Sequence, residues 1–520
     1  MTPTPREAAT ITVENPARTD RPVGSVRAHT GAEVDAAAVA AAAAAPGWAR
    51  TPEADRAAAL LRIAAGLEAA AEDLAVLLAR ESGKPLGDCR GEVGYACAVL
   101  RWYAEQAPAL LSRRTIDDAG GRLERRLRPY GVVAALTPWN APVILTAVKL
   151  APALAAGNAV VVKPSPLAPL AVSAFLAGAA RELPPDVVRV CHGHAPTALR
   201  LAGHPGVGKL SFTGGAVAGR ALGAAAAAAL TPTTMELGGN DAAVLLDDAA
   251  LTEADLDRLV LASFATAGQV CMAAKRLYVP QARLESFAER YAAAAARVLR
   301  LGDPLDPGTT VGPVISAEAT DRIRALVADA RSRGATAVEL GTVRPGTDLD
   351  AGHFVRPALV LGLREDAPLV CEEQFGPALP VLGYADEDDL VERVNAGPYG
   401  LAASVWSADE QRAFALAARL DAGFRFVNTH NRTGMALRAA FGGVKRSGHG
   451  REYGAEGLLE YVQPVLTHAP GAFRAGGGGM APGAYPVGGP ARASASYSAN
   501  GPAGAPAGGP AGAPAGGPAA

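Results

Sequence analysis

Cysteine is scarce and poorly placed for structural use. The 520-residue chain carries five, Cys89, Cys97, Cys191, Cys271 and Cys371, an odd number scattered without a CxxC pair. That pattern excludes a disulfide framework and a zinc site of the usual spacing, and it fits a reducing cytoplasm. The histidines do not gather at metal-ligand spacing either, His192 and His194 included, so no metal is expected. An excess of charge of either sign is also missing, since 49 Lys and Arg stand against 51 Asp and Glu. Neither nucleic acid nor an anionic membrane surface is then a natural main partner, and a small molecule is the better expectation. Long apolar runs are absent too. The weakly polar stretch 131–148 contains Pro138, Asn140 and Pro142, and the alanine-rich run 221–230 is too short to span a bilayer. Residues 1–7 lack the apolar centre of an export signal, so no membrane segment and no secretion are expected.

What the chain has in quantity is core-forming material: 49% of its residues are hydrophobic and 19% charged, enough at this length for two or more domains. Residues 11–28 alternate as strands do around Asn15-Pro16 and Asp20-Arg21-Pro22 and read as a hairpin. Helical spacing follows over 33–45, 53–80 and 88–108, with Ser82-Gly83-Lys84-Pro85 as a stop between the last two. Residues 123–130 read as a charged, exposed strand or arm.

Strands over 131–136, 159–163, 187–190 and 209–213 then alternate with helices over 141–155, 167–181 and 214–229. That rhythm predicts a parallel sheet with crossover helices, with a nucleotide at the C-terminal ends of its strands. A second α/β unit is expected over 242–440, with strands at 242–246, 276–279, 358–361 and 402–406. The segment 458–466 reads as a last strand too isolated to stand alone, so it should pair with another subunit or with the charged arm. Beyond His468 the composition collapses to Gly, Pro, Ala and Ser, and the unit Pro-Ala-Gly-Ala-Pro-Ala-Gly-Gly occurs at 502–509 and again at 510–517. Such a tail has almost nothing to bury and is expected to be disordered.

Chemistry is suggested first by Gly268-Gln269-Val270-Cys271-Met272-Ala273-Ala274-Lys275. A thiol between a flexible glycine and a basic residue can be a nucleophile, although its ordinary pKa of about 8.5 leaves little thiolate at neutrality. A lone cysteine among Ala, Val and Met can equally be inert and buried. Four further stretches matter. Thr137-Pro138-Trp139-Asn140 can project an amide into the crevice, and Val162-Lys163-Pro164-Ser165 a cation. Met235-Glu236-Leu237-Gly238-Gly239-Asn240 sets a carboxylate before a glycine pair, and Cys371-Glu372-Glu373-Gln374-Phe375-Gly376-Pro377 sets two acids beside an aromatic. Singly, Asn140 could be a turn residue, Lys163 a solvated cation, Glu236 a salt-bridge partner and Phe375 core.

Together, and with Phe441-Gly442-Gly443-Val444-Lys445-Arg446-Ser447-Gly448, these motifs resemble the aldehyde dehydrogenase superfamily over residues 10–467. The resemblance implies an α/β fold of two parallel-sheet domains. A Rossmann-like cofactor domain would span 1–112 and 131–241 and a catalytic domain 242–440. A small β oligomerisation arm would take 113–130 and 441–468, leaving a disordered tail at 469–520. It implies Cys271 as nucleophile toward an aldehyde, Asn140 with the Cys271 backbone N–H as oxyanion donors, and Glu236 as the base that activates water against a thioester. It also implies that Trp139, Lys163, Gly214, Gly215, Leu237, Glu373 and Phe375 line the dinucleotide, with Lys163 near the adenosine ribose, Gly214-Gly215 near the pyrophosphate, and Glu373 and Phe375 by the nicotinamide.

Glu236 favours hydrolysis to an acid over transfer to coenzyme A. Pro166 stands where NAD-specific members commonly carry an acid, so NAD is the first expectation and NADP stays open. Gly215 also replaces a more usual serine. The apolar positions Ala141, Leu145, Val148, Val270, Met272 and Phe441 suit an aliphatic or aromatic aldehyde, whereas Arg432 or Arg438 could hold a substrate carboxylate as in semialdehyde oxidation. A CoA-acylating relative, or an idle relative kept for binding through its tail, are the alternatives. The family further implies a cytoplasmic homodimer or homotetramer.

Overall fold

Two mainly parallel sheets organise most of the molecule, each built from short β-branched or alanine-rich runs. The computed structural model describes residues 9–471. The expectation of a disordered tail therefore falls, from residue 472 on, outside the described residues. Residues 469 and 470, assigned to that tail from sequence, instead close the last strand, Val462–Pro470.

In the first sheet the strands run Gly448–His449, Thr233–Glu236, Lys209–Thr213, Val132–Leu136, Ala159–Lys163 and Val188–Val190 in spatial order. All neighbours are parallel except the short 448–449 strand, which runs antiparallel with Gly448 opposite Glu236. Helices cover both faces, and the strands serve both. Val133, Ala135, Val160 and Val162 feed one core, packed with Leu60, Leu100 and Leu150. Val132, Ala134, Leu136, Ala159 and Val161 feed the other, with Val34, Leu201 and Leu222. A period of two distributed between two apolar layers is why these runs read as continuously hydrophobic.

The second sheet has seven strands in the order Thr336–Glu339, Ala358–Leu361, Ala378–Tyr384, Arg276–Pro280, Ala242–Leu245, Ala402–Trp406 and Phe424–Val427. Only the pairing of Thr336–Glu339 with Ala358–Leu361 is antiparallel. Ala243 and Leu245 face one core, Ala242 and Val244 the other. Sequence reading had missed Ala378–Tyr384 and Phe424–Val427. It also ran one helix over 53–80, where the chain forms Glu53–Ala69 and Ala71–Ser82 with a break at Ala70. The N-terminal hairpin is present as Thr10–Val13 paired antiparallel with Gly24–Arg27.

A separate three-stranded sheet takes the order Val462–Pro470, Gly121–Pro129, Arg114–Asp118, the latter two antiparallel with Thr115 opposite Glu124. The last strand thus lies beside the charged arm, one of its two expected neighbours. It begins at Val462 because Gly454–Leu459 is helical. Residues 441–461, expected in the arm, group with the larger unit, and Gly448 and His449 complete the edge of the first sheet. No helix among the described residues is long and apolar enough to cross a membrane.

Candidate active site

The strand Val132–Leu136 ends in Thr137, Pro138, Trp139 and Asn140, and the helix Pro142–Ala155 begins two residues later. This hinge is held from outside. Lys84, buried with Glu92 in an ion pair, donates from Nζ to the Asn140 carbonyl at 3.1 Å. Glu92 Oε1 accepts from the Val143 N–H at 2.8 Å and the Ile144 N–H at 3.3 Å, satisfying free amides of the helix's first turn. The Asn140 side chain is 7% exposed and spends one Nδ2 hydrogen on the Gln269 carbonyl at 3.0 Å. A primary amide has two such hydrogens, so one is left for the cleft.

Gln269 belongs to the turn that carries Cys271. Thr266, Ala267 and Gly268 take consecutive left-handed conformations, with φ of 56°, 54° and 72°. Two non-glycine residues in that region store strain, which persists because the surroundings over-determine the turn. Gln269 is one such brace, donating from Nε2 to the Thr266 carbonyl at 3.1 Å and accepting from the Ile315 N–H at 2.9 Å. At Gly268 any Cβ would stand 2.6 Å from the Gly376 carbonyl, so the position is closed to side chains.

Cys271 itself keeps some exposure to the cleft, while its sulfur is surrounded by protein. Burial pushes the thiol up to about 12, with Asp241, Glu236 and Glu373 adding to the effect and Lys275 opposing it. The resting sulfur is therefore a thiol that needs a proton acceptor. The Cys271 backbone N–H meets no hydrogen-bond acceptor among the described residues.

Glu236 ends the strand Thr233–Glu236, is 4% exposed, and leaves its Oε1 without a hydrogen-bond partner. Burial holds its carboxyl well above the usual carboxylate range, and the charge on Glu452 adds to this, while Lys149, Arg451 and the Gly443 N–H oppose it. Lys149, fully buried, pairs with Glu452 and donates to Thr213 Oγ1 at 2.8 Å. Neither Lys149 nor Glu452 stood out in the sequence. They lie 303 residues apart, one inside an apolar helix and one after the Phe441–Gly448 motif, and no local pattern links them.

Of the residues expected in catalysis or along the dinucleotide, all but Lys163 line one cleft of about 650 Å³, open to solvent: Trp139, Asn140, Gly214, Gly215, Glu236, Leu237, Cys271, Glu373 and Phe375; the expected substrate positions Ala141, Leu145, Val148, Val270, Met272, Phe441, Arg432 and Arg438 do not line it. Trp139 and Phe375 meet edge to face with centroids 5.6 Å apart. Glu373 Oε1 accepts from the Gly239 N–H at 3.0 Å, and a Cβ at Gly238 would fall 2.0 Å from Glu373 Oε2. Gly215 precedes the helix Ala216–Ala228, has open space where a Cβ would stand, and offers no side-chain cap to the first turn. A cleft with an uncapped helix start, backbone exposed at glycines, two aromatic rings and a carboxylate fits a dinucleotide, whose pyrophosphate needs amide donors and whose ring systems need flat apolar walls.

Lys163 lies apart from these residues. It ends the adjacent strand Ala159–Lys163, is buried, donates from Nζ to the Pro164 carbonyl at 3.0 Å, and is lowered by burial to about 8. Of the loop arginines, Arg432 is engaged by Asp88 at 3.2 Å, whereas Arg438 is exposed with no side-chain partner among the described residues. Val148 is buried in the core, while Leu145 and Met272 remain partly exposed. Among the described residues no group of three or more His, Cys, Asp or Glu side chains could hold a metal ion.

Similarity to known proteins extends over most of the chain. The model described as "Aldehyde dehydrogenase family" matches residues 4–466. Betaine aldehyde dehydrogenase 2 of Rhizobium meliloti is 37% identical over 419 residues, covering 80% of this chain and 85% of its own. A probable NADP(+) succinate-semialdehyde dehydrogenase of Sinorhizobium fredii is 38% identical over 398 residues, 75% of this chain and 79% of its own. The crystal structure of PnpE in complex with nicotinamide adenine dinucleotide superposes with a TM-score of 0.84 at 33% identity, covering 89% of this chain and 94% of that one.

Proposed function

The chain belongs to the aldehyde dehydrogenase family, and from that premise we propose that it is a hydrolytic member, turning an aldehyde into the free carboxylic acid with NAD or NADP. Asn140 and Cys271 lining one cleft carry the reading, with one Asn140 amide hydrogen beyond its bond to Gln269 and a Cys271 N–H that meets no acceptor among the described residues. In this reading the Cys271 thiol releases its proton to water in the open cleft as the sulfur adds to the aldehyde carbon, and the resulting oxyanion accepts from both donors. Removing one such donor typically costs about 2.7 to 4 kcal/mol of barrier. When bound, the nicotinamide coenzyme takes up the hydride that leaves the former carbonyl carbon. Cys271 then holds the acyl group as a thioester. Glu236, whose proton affinity burial raises, takes a proton from water as it attacks; the sulfur leaves, recovers a proton, and the acid is released.

Trp139, Gly214, Gly215, Leu237, Glu373 and Phe375 would hold the coenzyme, with Lys163 at the strand end toward its adenosine side. The first sheet is then the coenzyme domain and the second the catalytic domain. Pro166, where a ribose-binding acid is common, supports a choice between NAD and NADP that is not fixed by charge. A substrate carboxylate, as in semialdehydes, would meet Arg438 or Arg432, the latter already in an ion pair with Asp88. The three-stranded sheet supports assembly into a dimer or tetramer, and five free cysteines support a reducing, cytoplasmic setting.

The test is a panel of aldehydes and ω-carboxylated aldehydes assayed in parallel with NAD and NADP, with and without coenzyme A. Reduced-coenzyme absorbance independent of coenzyme A is expected, and Cys271→Ala should abolish it. Activity surviving that change, or strict dependence on coenzyme A, would overturn the reading.

A further inference from the structure

Lys275 lies four residues beyond the nucleophile, immediately before the strand Arg276–Pro280, and is 2% exposed. An ammonium so deeply buried requires partners, since burial strips it of water. Its partners here come from two separate stretches of chain. Nζ donates to the Val270 carbonyl at 2.8 Å and to the Cys271 carbonyl, both in the nucleophile's own turn. The same nitrogen stands 3.5 Å from Glu373 Oε1 and 5.9 Å from the Phe375 ring centroid. The Lys275 main chain is fastened as well: its N–H donates to the Asp241 carbonyl at 2.9 Å, and its carbonyl accepts from Gln374 Nε2 at 2.9 Å.

We propose that Lys275 is a positioning residue that fixes the Cys271 carbonyl and ties the nucleophile's turn to the Glu373 carboxylate, so that a change at Glu373 is felt at the sulfur. The inference rests on the reading of Cys271 as nucleophile and of Glu373 as a coenzyme-side group. Charge acts in the same direction as geometry. The groups facing the sulfur are Asp241, Glu236 and Glu373, all of which disfavour a thiolate, and Lys275, which alone favours it. Glu373 also accepts from the Gly239 N–H, so the ammonium binds the floor of the cleft on its coenzyme side. A hydrogen-bonded cation here therefore both holds a backbone and offsets three acids.

The experiment uses the full chain with the native residue, Lys275→Met, Lys275→Arg and Glu373→Gln. Carboxamidomethylation of Cys271 by iodoacetamide at a fixed neutral pH is followed by mass spectrometry of its peptide, with and without NAD. Lys275 opposes the three acids around the sulfur, so its loss lowers the thiolate fraction, and one pKa unit is tenfold in thiolate. Lys275→Met should therefore react at least about tenfold more slowly, while Lys275→Arg stays within about threefold of the native rate. The change in rate that NAD causes in the native protein should vanish in Lys275→Met and shrink in Glu373→Gln. Native rates in Lys275→Met overturn the positioning role, and a native rate indifferent to NAD overturns the link to Glu373. Should Lys275→Met fail to fold, Lys275→Gln and Glu373→Gln carry the same comparison. Failure of the enzymatic reading would show separately, as no aldehyde-dependent reduced coenzyme from the native protein.

Discussion

Glu236 combines burial, an unpartnered oxygen and a carboxyl held well above the usual range. Its basic form therefore grows in over a pH interval higher than the one in which an exposed glutamate ionises. Turnover limited by thioester hydrolysis should accordingly climb with pH across that interval. In Glu236→Gln the first turnover should still release reduced coenzyme in a burst, after which the steady rate falls by two orders of magnitude or more and loses that climb. Stopped-flow absorbance over a pH series reads both effects. Lys84 gives a second test at this scale. Its replacement by Met leaves Glu92 charged, buried and without its cation, which should cost about 3 to 5 kcal/mol in denaturant unfolding. It also frees the Asn140 carbonyl, so kcat should fall further than stability alone explains; Glu92→Gln, which keeps the shape, should be milder on both counts.

At the scale of elements, the turn 265–271 departs furthest from ordinary backbone. Gly268→Ala would force a Cβ against the Gly376 carbonyl at a φ of 72°, costing about 1 to 3 kcal/mol and displacing the adjoining thiol. We expect at least a hundredfold loss in kcat with a modest drop in melting temperature, measured side by side on the purified variant. This turn also marks the limit of what the sequence discloses. The parallel strands at 132–136 and 159–163 were legible because both faces are almost wholly apolar, and 209–213 because Leu210 and Phe212 alternate with Lys209, Ser211 and Thr213. Ala378–Tyr384 escaped notice because Pro380 and Gly383 interrupt its apolar run, and Phe424–Val427 because Arg425 divides four residues. Within the cleft, residues carried by compact motifs were readable. Lys84, Glu92, Lys149 and Glu452 were not, since each gains its meaning from a partner far along the chain or from a backbone atom, and periodicity records neither. The left-handed run was equally hidden, because Thr266 and Ala267 have no intrinsic preference for it.

For the molecule as a whole, the three-stranded sheet carries large apolar side chains left uncovered on its strands. Ile116 is 58% exposed and Leu466 60% exposed on its strands. Large apolar residues left uncovered on strands invite pairing with a second copy. Replacing both with lysine should shift the protein to a smaller species in size-exclusion chromatography with light scattering, while the far-ultraviolet circular dichroism stays unchanged. An unaltered mass would remove this sheet from the assembly interface.

The division of the first sheet's strands between two oily layers also governs where chain length can vary. Losing one residue inside Val132–Leu136 would swap every inward neighbour for its opposite, sending Val133 and Ala135 to the side built for Val132, Ala134 and Leu136. The same slip would carry Asn140, four residues past the strand's end, away from the Gln269 carbonyl that its amide now meets. Insertions and deletions should therefore collect in the connections and stop short of this strand, because the count of residues along it sets where that amide stands.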